Sequence, residues 1–272
     1  MESRAGSLGD YECFFLSGCG FGFGGDYSRA LQADHAKDYN IAIKHYQRVM
    51  LRHPHSHRAM ESARAAAQIA IYKLKHYHLA LTFLKFLRAH ATKNSQRIWA
   101  QRNIASIYYN ELADYKQAAT EYYRLLNLPM PQPDRYRYRF RVAKSDYFLN
   151  RFRQANAELD YLPLNRNRFK INDNFAFKAL VLRANIFLGL KKIDKGIDTF
   201  KEVMDRFPKK SRTDDIALNL AVCYEEENKF RHSIRVLQSI RATYPSPQFI
   251  DARIKRLKER LAEMPKALRR KK

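Results

Sequence analysis

The chain has 272 residues, 46% of them hydrophobic, and a formal net charge of +24. No run approaches the roughly 18 uninterrupted apolar residues that a membrane-spanning helix requires, and Cys13, Cys19 and Cys223 have neither a disulfide framework nor a zinc-ligand spacing. The charge is uneven: residues 1–36 hold two arginines against five acids, net −3, so the remainder carries +27 and attracts polyanions, acidic peptides or an anionic surface.

Residues 1–25 are rich in glycine and separate from the rest in composition. Within them Leu16-Ser17-Gly18-Cys19 resembles the lipobox of bacterial lipoproteins, where small residues fit the signal peptidase and the thiol takes an acyl chain. That resemblance implies lipidation of Cys19 and tethering in a bacterial cell envelope, on the outer-membrane or periplasmic side. Asp10 and Glu12 interrupt the apolar core such a leader requires. The alternative is a flexible N-terminal segment on a cytoplasmic protein.

From Asp26 onward the apolar residues recur at helical spacing. Residues 26–37 and 39–53 predict a first pair of helices, followed by the turn His53-Pro54-His55-Ser56-His57. Three alternating histidines suggest a metal, but only Glu61 lies one turn beyond and no second ligand cluster follows, so no metal site is assigned. A second pair spans about 56–89, with Ala63, Ala66, Ala67 and Ala70 making a small-sided face suited to close packing. A third spans about 95–128, where Trp99 reads as a packing residue.

The fourth pair opens with Arg135-Tyr-Arg-Tyr-Arg-Phe-Arg141 after a loop holding Pro129, Pro131 and Pro133. As a strand, alternating arginine and aromatic side chains would suit nucleic acid. As a helix, Tyr136, Phe140, Ala143 and Tyr147 share one face, while Arg137, Arg141 and Lys144 share another. The helical reading continues the pattern on both sides. Residues 162–172 read as an irregular connector. A fifth pair covers 179–208 and a sixth 214–245. In the sixth, Ala217, Leu220, Ala221 and Tyr224 face Phe230, Ile234, Leu237 and Ile240 across the break Glu226-Glu227-Asn228-Lys229, and Cys223 lies on the buried side. Residues 247–263 predict a last helix with Ile250, Ile254, Leu257 and Leu261 inward and a basic outer face, the polar-backed cap that a repeat array requires. Residues 264–272 form a basic tail.

The second helix of each pair carries a small residue at one register: Ala42, Ala80, Ala118, Ala155, Gly196 and Ser233. Their spacings are 38, 38, 37, 41 and 37 residues. Neither helix of a pair can bury its stripe alone, so each pair demands a neighbour built the same way. On these residues, over about 26–245, the chain resembles the tetratricopeptide repeat family, with a period slightly above that family's roughly 34. The resemblance implies an all-α fold, a right-handed α-α superhelix of about six tetratricopeptide-like hairpins plus a C-terminal capping helix, occupying residues 26–263. Asp146 departs from the family pattern, which has an aromatic there.

The family lines a concave groove with the first helix of each hairpin. Carried onto this chain, that places Arg137, Arg141, Lys144 and Lys178 in the groove, with Asn103, Asn110 and Asn185 as hydrogen-bonding neighbours. The Lys/Asn/Arg clamp of chaperone-binding members does not match the asparagine spacing here. No phosphate-binding loop, nucleophile elbow or acid–base pair is present in the sequence, and no cofactor or small-molecule substrate is implied. The expectation is a non-catalytic adaptor whose basic groove takes an acidic peptide or helix of another protein. A cytoplasmic protein that uses the same charge against nucleic acid is the alternative.

Overall fold

The structure is a computed structural model that describes residues 24–164, 172–213 and 215–265. The lipidation expected at Cys19, Cys13, most of the N-terminal segment, most of the connector and the basic tail beyond Pro265 lie outside the described residues. Among those residues the regular structure is helical and no strand occurs. The chain divides into two compact units, one ending at Phe83 and the other beginning at Leu84.

The first unit holds α1 (Gly24–His35), α2 (Tyr39–Arg52), α3 (His57–Gln68) and the start of α4 (Tyr77–His90). Asp26 on α1 is buried, and its carboxylate accepts hydrogen bonds from His45 Nδ1 at 3.0 Å and Arg52 Nη1 at 2.7 Å, both on α2. The His45 hydrogen bond holds its pKa below the usual carboxylate value against the opposing effect of burial. Ser56 caps α3 by accepting from the Ala59 amide at 3.1 Å. His57 lies 3.5 Å from Glu61, one turn along α3. The alanine face of α3 is buried as its spacing predicts. A π-helical turn, Ile69–Lys73, prolongs α3 before the reversal into α4.

The second unit contains three consecutive hairpins: α5 (Asn94–Asn110) with α6 (Tyr115–Leu126), α7 (Gln132–Phe148) with α8 (Phe152–Asp160), and α9 (Asp173–Gly189) with α10 (Ile193–Arg206). A six-residue helix, α11 (Pro208–Thr213), comes next, then the hairpin of α12 (Ile216–Glu226) and α13 (Phe230–Ile240), and finally α14 (Pro247–Glu263). Each hairpin packs on the next, with α6 against α7, α8 against α9 and α10 against α12. Apolar side chains fill the seams. Ala143, Leu159, Leu180, Ile186, Phe200, Val203 and Leu220 belong to one continuous core, and Phe230, Leu237, Ile250 and Leu257 to another under the terminal helix.

Every reversal from a first helix to a second is built alike. Lys37, Lys75, Ala113, Asn150, Lys191 and Asn228 all adopt positive φ, between 49° and 65°. Each stands five residues before the small residue of its hairpin, so the two series keep the same spacing. The next residue's amide bonds back to a carbonyl of the last turn, as from Arg151 to Asp146 at 2.8 Å and from Lys229 to Tyr224 at 2.7 Å. This left-handed cap satisfies the orphan carbonyls of the first helix and aims the second antiparallel to it.

The fifth hairpin's second helix ends at Arg206, as its expected boundary at 208 anticipates, and Pro208 opens the separate helix α11, where its fixed φ and missing N–H are tolerated in a first turn. Two local expectations are corrected. The first helix of that hairpin begins at Asp173, not near Ala179, because the Asn172 side chain accepts from the Asn174 amide at 2.8 Å and starts the helix early. The inward face of α7 is Tyr138, Val142, Ala143, Ser145 and Asp146. Tyr136, Phe140 and Tyr147 are only partly buried: they pack against the core and also line an open groove.

Candidate groove between α7 and α9

The seven-residue run Arg135–Arg141 wraps around α7, and its side chains divide among several tasks. Arg135 donates to the Leu126 carbonyl at 3.0 Å and closes the end of α6. Tyr138 stacks on Tyr122 in the core, with ring centroids 5.9 Å apart. Arg139 donates to Glu158 at 2.8 Å and lies over the Tyr161 ring. Tyr136, Arg137, Phe140 and Arg141 turn the other way, toward α9.

There they line a groove of about 1100 Å³. Gln132, Pro133, Lys144, Tyr147 and Phe148 complete the α7 wall, and α9 with its cap supplies Asn172, Asn174, Phe175, Phe177, Lys178, Val181, Leu182 and Asn185. The floor is aromatic: Phe140 and Phe175 meet edge to face with centroids 5.4 Å apart. Four cations share the lining, and among the described residues no aspartate or glutamate lines the groove.

Five of the seven binding residues expected from the sequence are thus brought together: Arg137, Arg141, Lys144, Lys178 and Asn185. Asn103 and Asn110 are not among the lining residues. Both lie on α5, where Asn103 donates to the Trp99 carbonyl at 2.7 Å and Asn110 to the Ser106 hydroxyl at 2.8 Å. Trp99 itself is partly buried. Two further asparagines line the groove, Asn172 and Asn174, at the junction of the connector with α9. Helical periodicity points to neither; the cap at the start of α9 is the signal that places them.

Several arginines elsewhere on the second unit are neutralised by acids. Glu121 is almost fully buried and holds Arg88 at 3.0 Å and Arg124 at 2.7 Å, with the Gln101 amide donating to it at 2.8 Å. Arg183 pairs with Asp160, Arg206 with Glu202, Arg241 with Asp251 and Arg253 with Glu225. In the groove, Arg137 alone of the four has a carboxylate, Asp134 at 3.3 Å on the exposed first turn of α7. Arg141 lies 4.7 Å over the Tyr109 ring, and Lys144 5.7 Å over Phe148. Burial pushes the Lys144 pKa down, and the neighbouring charges of Arg141 and Lys178 push it further in the same direction.

Among the described residues, no group of three or more histidine, cysteine or acidic side chains could hold a metal ion. No helix among them is long and apolar enough to cross a membrane. Cys223 is buried, and burial raises its thiol to about 11, which keeps it protonated.

Comparison with known proteins bears on this fold. The family model described as tetratricopeptide repeat matches residues 178–210, which run from the first third of α9 into α11. No curated protein matches the chain. The solved structure described as YrrB, a TPR protein with an unusual peptide-binding site, superposes with a TM-score of 0.54 at 15% identity, covering 77% of this chain and 97% of that one. MamA from Desulfovibrio magneticus RS-1, residues 41 to the end, gives 0.51 at 15% identity over 69% of this chain and 97% of that one. A structure of Naa15/Naa10 bound to HypK-THB gives 0.57 at 18% identity, over 83% of this chain but 32% of that one. Identities this low establish likeness of fold.

Proposed function

Taking the chain as a helical-repeat protein of the tetratricopeptide-repeat fold, we propose that it is a non-catalytic, protein-binding scaffold that seats an acidic segment of a partner in the groove between α7 and α9. One observation carries the reading. The groove brings four cations, of which only Arg137 has a carboxylate, together with a cluster of aromatic rings, and among the described residues no acid lines it. Unneutralised charge above an aromatic floor attracts an acidic ligand at long range and then holds its apolar side chains by burial. The peptide-binding site named for the YrrB structure supports the same kind of use.

The test is fluorescence anisotropy with labelled acidic peptides that carry aromatic or aliphatic residues between the acids. The charge reversals Arg141→Glu and Lys178→Glu are expected to weaken binding at least about tenfold each, the scale of a lost charge-assisted contact. Lys255→Glu and Lys258→Glu on the outer face of α14 are the controls. If the α14 changes weaken binding as much as the groove changes, the charge acts without regard to place and the groove loses its role.

The aromatic rings beside the cations also suit stacked bases, which keeps single-stranded nucleic acid as the second reading. Salt separates the two. Nucleic-acid affinity falls by orders of magnitude between about 50 and 200 mM salt as counterions are released, while a peptide anchored partly by apolar burial loses far less.

The location proposed with this function is a bacterial cell envelope, with Cys19 as the lipid-bearing residue, supported by the lipobox-like Leu16–Cys19 sequence. Intact-mass measurement of protein recovered from a membrane fraction is expected to show an acylated N-terminal cysteine. A product that retains Met1 without acyl mass would end that part of the reading.

A further inference from the structure

Building on the groove reading, we infer that the anion seated at Arg141, Lys144 and Lys178 is a phosphate monoester, carried as phosphoserine or phosphothreonine on the bound segment. The inference starts from charge balance. Three cations line the same groove from α7 and α9, and the charges of Arg141 and Lys178 disfavour the charged state of Lys144. One carboxylate would leave two positive charges without a counter-charge. A phosphate monoester brings a charge of about −1.5 to −2 and three acceptor oxygens, and so supplies counter-charge to more than one of them.

The rest of the lining fits that group. Asn172, Asn174, Asn185 and Gln132 are neutral and can donate through their amides to oxygens that the cations leave free. No acid among the lining residues competes with a dianion. The apolar floor of Phe140, Phe175 and Val181 takes the neighbouring side chains of a peptide, which favours a phosphorylated protein segment over a lipid headgroup or free phosphate.

The lysines provide the readout. Reductive ¹³C-dimethylation keeps their charge and makes each visible by NMR; Lys144→Arg and Lys178→Arg assign the two signals. The probes are N-acetyl-phosphoserine amide, N-acetyl-glutamate amide, inorganic phosphate and a short oligothymidylate, all at one ionic strength. The Lys144 and Lys178 signals are expected to move together with phosphoserine amide, at an affinity about tenfold above that of glutamate amide, as a charge-assisted dianion contact predicts. The apparent pKa of Lys144 is expected to climb toward its ordinary value as the site fills. Arg141→Met should abolish both effects. Lys144→Met, which removes a disfavoured charge, should bind no phosphoserine amide and yet melt no lower than the parent, which separates loss of the site from loss of the fold.

Equal or tighter binding of glutamate amide would overturn the phosphate assignment while leaving the acidic-groove reading in place. Tighter binding of the oligothymidylate would overturn it in favour of nucleic acid. If no probe moves Lys144 or Lys178 while acidic peptides still bind through Arg141 and Lys178, the phosphate assignment alone fails. If the acidic peptides fail as well, both readings fall.

Discussion

Arg139 donates to the Glu158 carboxylate at 2.8 Å, tying the first helix of the fourth hairpin to the second. Tyr123, on the preceding hairpin, donates to the other oxygen of the same carboxylate at 2.9 Å. The carboxylate is largely shielded from water, with Arg139 partly buried beside it and Tyr123 reaching it from the exposed side, so the group depends on its two donors. Arg139→Met is expected to cost about 3 kcal/mol, the penalty of leaving a buried charge without its ionic partner. Combining it with Glu158→Gln should recover much of that loss, because the charge and its partner then leave together. Urea unfolding of the two variants checks this; equal losses in single and double variants would show that the pair contributes packing alone.

Asp146 gives a prediction of opposite sign. It is nearly inaccessible, and its one carboxylate–guanidinium neighbour, Arg151, stands 3.7 Å away on the surface side. Burial raises its pKa above the ordinary 3.8, so the folded state disfavours the charge that the unfolded state carries freely. The cost is present at neutral pH, where both states are ionised, shrinks as pH falls through the raised folded value, and is gone below the ordinary one. Asp146→Asn is therefore expected to raise Tm at pH 7 by roughly 2–4 °C, which is about 1 kcal/mol in a chain of this size. The difference should close as pH approaches 4. A variant that melts lower at pH 7 would show that the Arg151 interaction outweighs burial.

The left-handed caps offer a third test. Ala113 holds φ at 49° with a β-carbon present. A non-glycine residue in that region costs roughly 1–2 kcal/mol, and glycine regains part of this while adding freedom to the unfolded chain. Ala113→Gly is expected to stabilise by about 0.5–1 kcal/mol, and Ala113→Val to destabilise by more than that, since a β-branched side chain tolerates the conformation least. Thermal melts of the two variants decide the matter. If both lie within error of the parent, the cap does not hold its conformation in solution.

How far these features could be read from residues alone depends on their range. The hairpins were legible because a second helix with a small residue five positions after its turn repeats without loss of phase. The six small residues, from Ala42 to Ser233, are all buried. The separation of Arg137, Arg141 and Lys144 from the core followed from helical geometry. The aromatic stripe on α7 did not. Tyr136, Phe140 and Tyr147 satisfy the same periodicity as a core face, and only the presence of α9 alongside decides that they line a groove instead.

The buried carboxylates were not legible at all. Glu121 and Glu158 look like ordinary charged positions on amphipathic helices, and nothing local distinguishes them from Glu202 or Glu259. Their burial arises because Gln101 and Arg88 reach Glu121, and Arg139 and Tyr123 reach Glu158, across 19 to 35 residues of chain.

By itself, then, the order of residues determined that this chain folds into helical pairs, where each pair turns, and which register of each second helix must stay small. Those are short-range facts, set by a period of 3.6 residues and by what a tight turn tolerates. Which arginines are neutralised and which are left facing a groove was decided only by tertiary structure, because charge balance depends on distances between helices that no local pattern contains.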